Sequence, residues 1–205
     1  TDLGNNPLLR VWPPVSETSR FFPALKDSLG NTTSIGETLP TTSRTMNFSL
    51  LTRDNNGGVA QDQMQVNVID TGMPFAVTSP SSNVALSSGQ SLAVTWDVAD
   101  TDQAPISCSK VGIKLLESNG SMIELLTSTP NDGAEIITIP TEVGTLHDVH
   151  LKIGCNDNIF YAVSKGDIQI LGGDPILTAN SPSISEEDSG THNLSFILSL
   201  SASAS

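Results

Sequence analysis

Residues 91–98 read SLAVTWDV, residues 110–117 read KVGIKLLE, and residues 149–155 read VHLKIGC. In each run the apolar side chains fall on every second position: Leu92, Val94, Trp96 and Val98; Val111, Ile113 and Leu115; Val149, Leu151, Ile153 and Cys155. A period of two places one row of side chains on one face of an extended strand. The surrounding stretch, 74–171, opens on PFAVTSP and closes on DIQIL. Glu117–Gly120 and Pro130-Asn131-Asp132-Gly133 supply turns, and such breaks recur every ~8–12 residues, the spacing of sandwich strands. Further strands are expected over Met122–Leu126, through Ile137 and Ile139 to Pro140, and through Ile168 and Ile170. The expectation is a β-sandwich closed over an aliphatic interior.

Upstream, residues 44–69 read as a hairpin. RTMNFSLLTR puts Met46, Phe48 and Leu50 on one face, DNNGG supplies a tight reversal, and QMQVNVI returns with Met64, Val66 and Val68. Two strands bury little surface alone, so the hairpin needs partners. Residues 1–43 are broken up by Pro13, Pro14, Pro23 and Pro40, with room for a short helix starting near Pro23 and ending before Gly30. Phe21 and Phe22 are expected to pin that helix to a sheet. The fold class is therefore all-β: an immunoglobulin-like or fibronectin type III-like sandwich over 74–171, preceded by a partial sandwich module with a hairpin and a short helix. The divisions read are 1–73, the C-terminal part of an incomplete immunoglobulin-like module; 74–171; and 172–205, a linker followed by LSFILSL, the first strand of a truncated module.

The chain has 205 residues, 37% hydrophobic but only 4% aromatic, so any core is mostly Val, Ile and Leu. Acidic residues outnumber basic ones 22 to 9, giving a net charge of −13. A phosphate backbone would be repelled, which argues against nucleic acid, and no apolar run is long enough for membrane insertion. The composition suits a secreted or cell-surface β-protein.

The words RVWPPVSETSRFFPAL, ETLPTTSRTMNFSLLTRDNNGG, MPFAVTSP, VTWDVADT, APISCSKVGIKL, TPNDGAEIITIP and NIFYAVS follow one another over residues 7–171. In order and spacing they resemble the non-catalytic C-terminal β-sandwich region of secreted bacterial reprolysin-like zinc metallopeptidases. SISEEDSGTHNLSFILSL resembles the opening of a Calx-beta module. The resemblance implies an extracellular or cell-surface accessory, spacer or interaction region. Its partners would be neighbouring domains of the same polypeptide and, by extension, a protein substrate or cell-surface polymer. Zinc would belong only to the parent enzyme, because the His-Glu-x-x-His helix that binds it is missing here. A carbohydrate or cell-surface polymer binding module is the alternative, although two Trp and one Tyr equip it poorly.

Candidate sites are few, and no catalytic residue is expected. Cys108 and Cys155 are expected to pair as a disulfide, with two buried free thiols, or one buried and one exposed, as the alternative. Asp97, Asp100 and Asp102 crowd one strand end, and Asp54, Asn55 and Asn56 crowd the hairpin turn. Both are weak calcium candidates, set against ordinary turn chemistry in which Asp and Asn bond nearby backbone N–H groups. The Calx-beta resemblance adds Glu186, with Asp188 beside it. His147 and His150 are three apart, so strand parity puts them on opposite faces as surface imidazoles rather than as a zinc pair. Trp96 reads as a core anchor. The Asn-x-Ser/Thr patterns at Asn31, Asn47, Asn119 and Asn193 read as incidental.

Overall fold

A computed structural model of the chain describes residues 2–4, 6–11, 13, 19–30, 34–54, 56–172, 177–183 and 195–200. Helix α1 spans Leu25–Gly30. The Ala24 carbonyl accepts from Ser28 N at 3.2 Å and so opens the helix, which leaves Pro23 just outside it and carries the last turn onto Gly30. Strands β1 (Arg44–Arg53) and β2 (Val59–Val68) form the expected hairpin, in unbroken antiparallel register from Arg44↔Val68 to Arg53↔Val59. Met46, Phe48, Val66 and Val68 are half-buried on one face, while Leu50 and Met64, further along it, stay exposed. The start of β1 is tied to the chain's beginning. The shielded Asp2 carboxylate accepts from Gly4 N, Thr41 N and Thr42 Oγ1, and pairs with Arg44 at 2.7 Å. The Gly4 and Thr41 N–H groups hold its pKa well below the usual carboxylate range.

The sandwich is built from nine further strands: β3 (Ala76–Ser79), β4 (Val84–Ser87), β5 (Ser91–Asp97), β6 (Lys110–Leu116), β7 (Met122–Pro130), β8 (Ala134–Thr138), β9 (Leu146–Cys155), β10 (Tyr161–Val163) and β11 (Ile168–Leu171). One sheet runs β4-β11-β9-β6-β7, with β10 also on β9; the other runs β3-β5-β8. The three-stranded sheet and the β11-β9-β6-β7 path have the two-sheet arrangement of an immunoglobulin-like sandwich. The parallel pairing of β4 with β11 closes one edge. Register explains the core: Val111 faces Cys155, Ile113 faces Ile153 and Leu115 faces Leu151 across β6 and β9. These residues and Val94, Ile139, Val149, Ile168 and Ile170 are fully buried, apart from the half-buried Cys155. Trp96 is 4% exposed, which makes it the anchor its phase suggested. At about 1.5–3 kcal/mol per buried aliphatic side chain, this interior is the main stabilising term.

Beyond Gly172, Leu177–Ala179 (β12) pairs antiparallel with Leu198–Leu200 (β13). The segment read as linker thus carries a strand, and the LSFILSL strand has a local partner. Phe196, Ile197 and Leu198 remain exposed. No helix among the described residues is long and apolar enough to cross a membrane.

Candidate functional site

At one end of the sandwich β5 runs out into the loop 98–109, opposite the turn that joins β7 to β8. An open cleft of about 800 Å³ lies there, lined by Asp97, Asp100, Asp102, Asp132 and, from the preceding linker, Thr71 and Met73. Asp97, Asp100 and Asp102, which crowd one strand end in the sequence, all line this cleft, and Asp132 joins them from the β7–β8 turn. Their bonds are those of turns: Asp97 Oδ1 accepts from Ala99 N at 2.9 Å, Asp102 accepts from the Gln103 amide, and Asp132 Oδ1 accepts from Ala134 N at 3.4 Å. Ala99 and Asp100 take consecutive left-handed φ values of 51° and 54°, which turns the loop sharply away from β5. Among the described residues no three His, Cys, Asp or Glu side chains are placed to hold a metal ion. In the hairpin, Asp54 Oδ1 accepts from Asn56 N and Gly58 N, both at 2.8 Å. Those two N–H groups lower its pKa. Glu186, Asp188, Asn55 and Trp12 lie outside the described residues.

Beneath the cleft is a buried polar network that the sequence did not reveal. Asn131, 6% exposed, accepts from Trp96 Nε1 at 2.8 Å and donates to Thr101 Oγ1 and to the Cys108 carbonyl, both at 3.0 Å. One side chain thus joins the core tryptophan of β5, the loop 98–109 and the first cysteine. Cys108 and Cys155 form a disulfide, with Cα atoms 6.0 Å apart, so the loop is fastened covalently to the end of β9. Cys108 itself lies two residues before β6.

The histidines depart from the parity argument. Leu146 pairs with Ile170 and Val149 with Ile168, both partners facing inward, so β9 carries an extra residue between them. Asp148, at φ 54°, takes up that bulge. His147 and His150 therefore share the outward side of the sheet. His147 sits beside Gln169 at 3.1 Å. His150 is not a surface imidazole: it is 6% exposed because the loop 164–167 folds back over it. Its Nδ1 is 3.0 Å from the Ser164 carbonyl, and its Nε2 is 3.1 Å from Asp167 Oδ1. Gly166 is required in that loop, since a Cβ there would lie 2.1 Å from Ser82 O. Ser, His and Asp thus come together at positions 164, 150 and 167, but not as a nucleophilic triad. The Ser164 hydroxyl accepts from Leu151 N and donates to Gly166 O, turned away from the imidazole.

The outer side of β9 and β10 carries a seam with the N-terminal segment. Phe21 meets Tyr161 edge-on at 5.7 Å, while its neighbour Phe22 packs on Phe48 of β1 at 5.3 Å. The two rings pin the segment to two different sheets, where the sequence led us to expect one. Arg20 lies over the Phe22 ring at 4.5 Å and pairs with the buried Glu37. Leu25 of α1 closes on the β6–β7 turn, 3.4 Å from where a Gly120 Cβ would stand. Burial under this seam raises the Tyr161 pKa, an effect opposed by the nearby Ser28 hydroxyl, which makes no hydrogen bond of ordinary geometry to it. Lys152 stands over the Tyr161 ring at 4.8 Å, and burial, then the neighbouring Lys114, lowers its pKa. With Trp96 in the core and Tyr161 covered, neither offers an open aromatic face to a sugar.

No protein-family model matches this chain, and no curated protein does. Among the solved structures that show likeness, two are distant ones. A chitin-active lytic polysaccharide monooxygenase is 17% identical over 44% of this chain and 59% of its own, with a TM-score of 0.26. A Salmonella alpha-2-macroglobulin mutant is 11% identical over 68% of this chain and 12% of its own, with a TM-score of 0.28. This chain therefore spans less than two thirds of either protein.

Proposed function

We propose that this chain is a non-catalytic accessory and spacer region of an exported zinc metallopeptidase, which sets the position of neighbouring domains of the same polypeptide relative to a protein substrate or cell-surface polymer. The observation that carries the reading is the pair Phe21 and Phe22, adjacent residues fastened to separate sheets, with Tyr161 on one side and Phe48 on the other. A spacer has to resist bending, and a side chain on each body achieves that where a bare linker would not. The disulfide supports the same reading and suits an oxidising compartment outside the cytoplasm. The metallopeptidase assignment rests on the ordered sequence words between residues 7 and 171. Small-angle scattering of the whole chain tests the spacer role. The expected result is one narrow distribution of shapes for the wild type and a broad one for the Phe21→Ala/Phe22→Ala variant. Equal breadth in both, or peptide hydrolysis by the purified chain, would overturn the proposal.

A further inference from the structure

We propose that Asn56 is a site of spontaneous deamidation, and that Asn119, in the same dipeptide context, is protected by the fold. The sequence contains two Asn-Gly pairs, Asn56-Gly57 and Asn119-Gly120. Glycine has no Cβ, so its main-chain nitrogen can approach the preceding side chain closely. In the reaction the Gly57 nitrogen attacks Cγ of Asn56, forming a C–N bond that closes a five-membered imide. The Cγ–Nδ2 bond breaks, and Nδ2 leaves as ammonia with the proton given up by Gly57. Water then opens one or the other imide C–N bond, giving aspartate or isoaspartate. No co-reactant beyond water is needed.

The attack requires a carboxamide free to turn and a main-chain N–H that is not engaged elsewhere. At the hairpin tip both conditions hold. Asn56 is exposed, and among the described residues neither its side chain nor the Gly57 N–H has a hydrogen-bond partner. The space beside Gly57 is open to 4 Å. In the β6–β7 turn neither condition holds. The Asn119 Oδ1 atom is taken by Ser121 N at 2.7 Å, the Gly120 N–H donates to the Glu117 carbonyl at 2.9 Å, and Leu25 closes over the glycine. The product at Asn56 adds a carboxylate beside Asp54, whose own carboxylate accepts from Asn56 N and Gly58 N. Isoaspartate also lengthens the main chain by a methylene inside that ring of bonds. Modification therefore loosens the β1–β2 tip in one direction only.

The test incubates the intact chain at mildly alkaline pH. Samples taken over time are reduced, digested with trypsin and analysed by mass spectrometry. The peptide beginning at Asp54 reports Asn56, and the peptide beginning at Leu115 reports Asn119. The acid form at Asn56 is expected to accumulate about tenfold faster or more, the factor for a rival that must first open two ordinary hydrogen bonds. In denaturant the two rates are expected to converge. Equal rates in the folded chain, or a faster Asn119, would overturn the proposal. So would a mass gain in the Asp54 peptide that survives Asn56→Gln.

Discussion

Replacing Asn131 by alanine tests whether the network under the acidic cleft organises that end of the sandwich. The substitution removes the acceptor of the Trp96 indole N–H and the donor to the Cys108 carbonyl. Thr101 is less affected, because its hydroxyl still donates to the Val98 carbonyl at 2.7 Å. Two buried polar groups are thus stranded, at about 1–3 kcal/mol each. Asn131 also lines the open cleft, so water can reach part of the vacated space and recover some of that loss. The expected destabilisation is about 2–4 kcal/mol, a large share of the roughly 5–15 kcal/mol typical of a domain. Equilibrium urea unfolding measures it, as a lower midpoint at unchanged slope. Trp96→Phe strands only Asn131 Oδ1 but also empties the core volume of the larger indole, so its loss combines one unpaired acceptor with a cavity cost. In the double variant the two losses should fall short of their sum, because the second change removes a partner already lost. A loss under about 0.5 kcal/mol for Asn131→Ala, or strict additivity with Trp96→Phe, would refute the reasoning that these bonds are made in a dry interior.

Reducing Cys108–Cys155 opens a loop with a sequence separation of 47. It should cost up to about 4 kcal/mol and lower the Tm of the sandwich by on the order of 10 °C, read by calorimetry with and without reductant. An unchanged Tm would show that the cross-link contributes nothing to stability. Tyr161 is the chain's one tyrosine, so phenolate absorbance follows it alone. Burial raises its pKa, so the folded state favours the neutral phenol. That contribution to stability is full below the unfolded value of about 10 and is lost as pH rises through the folded value. Phe21→Ala uncovers the ring and should move the absorbance midpoint down toward about 10. An unmoved midpoint would mean that Phe21 does not cover the ring.

The sandwich interior was legible because most of its strands alternate regularly, over four apolar positions in Leu92–Val98 and Val149–Cys155, three in Val111–Leu115, and a pair of β-branched isoleucines in Ile137 with Ile139 and in Ile168 with Ile170. β4 offers only Val84 and Leu86, and β12 three residues, too few for a period to stand out from ordinary loop composition. The face of His147 relative to His150 was misread because a single bulged residue, Asp148, resets the parity of everything before it, and the burial of His150 was missed because it comes from the loop 164–167. Asn131 read correctly as part of a turn, since PNDG is turn chemistry. Its second role arises only when the turn is set down on Trp96, a residue 35 positions away in sequence. The acidic convergence was legible in part, because Asp97, Asp100 and Asp102 are neighbours in sequence while Asp132 arrives from another strand end.

The two ends of the sandwich divide the work unequally. At the cleft end the loop 98–109 is held three ways: by the disulfide to β9, by Asn131 to Trp96, and by backbone bonds within itself such as Cys108 N to the Thr101 carbonyl at 2.8 Å. Such redundancy makes the loop a fixed surface, with its carboxylates carried at set positions. On the outer side of β9 and β10 the attachment is an aromatic contact, Phe21 on Tyr161, of the kind that adds about 0.5–1.5 kcal/mol beyond simple burial. A contact of that size holds a neighbour in place yet yields before the sandwich does. The Phe21 contact therefore gives way before the disulfide-held loop 98–109 does, and it sets how far the hairpin and the sandwich can bend on one another.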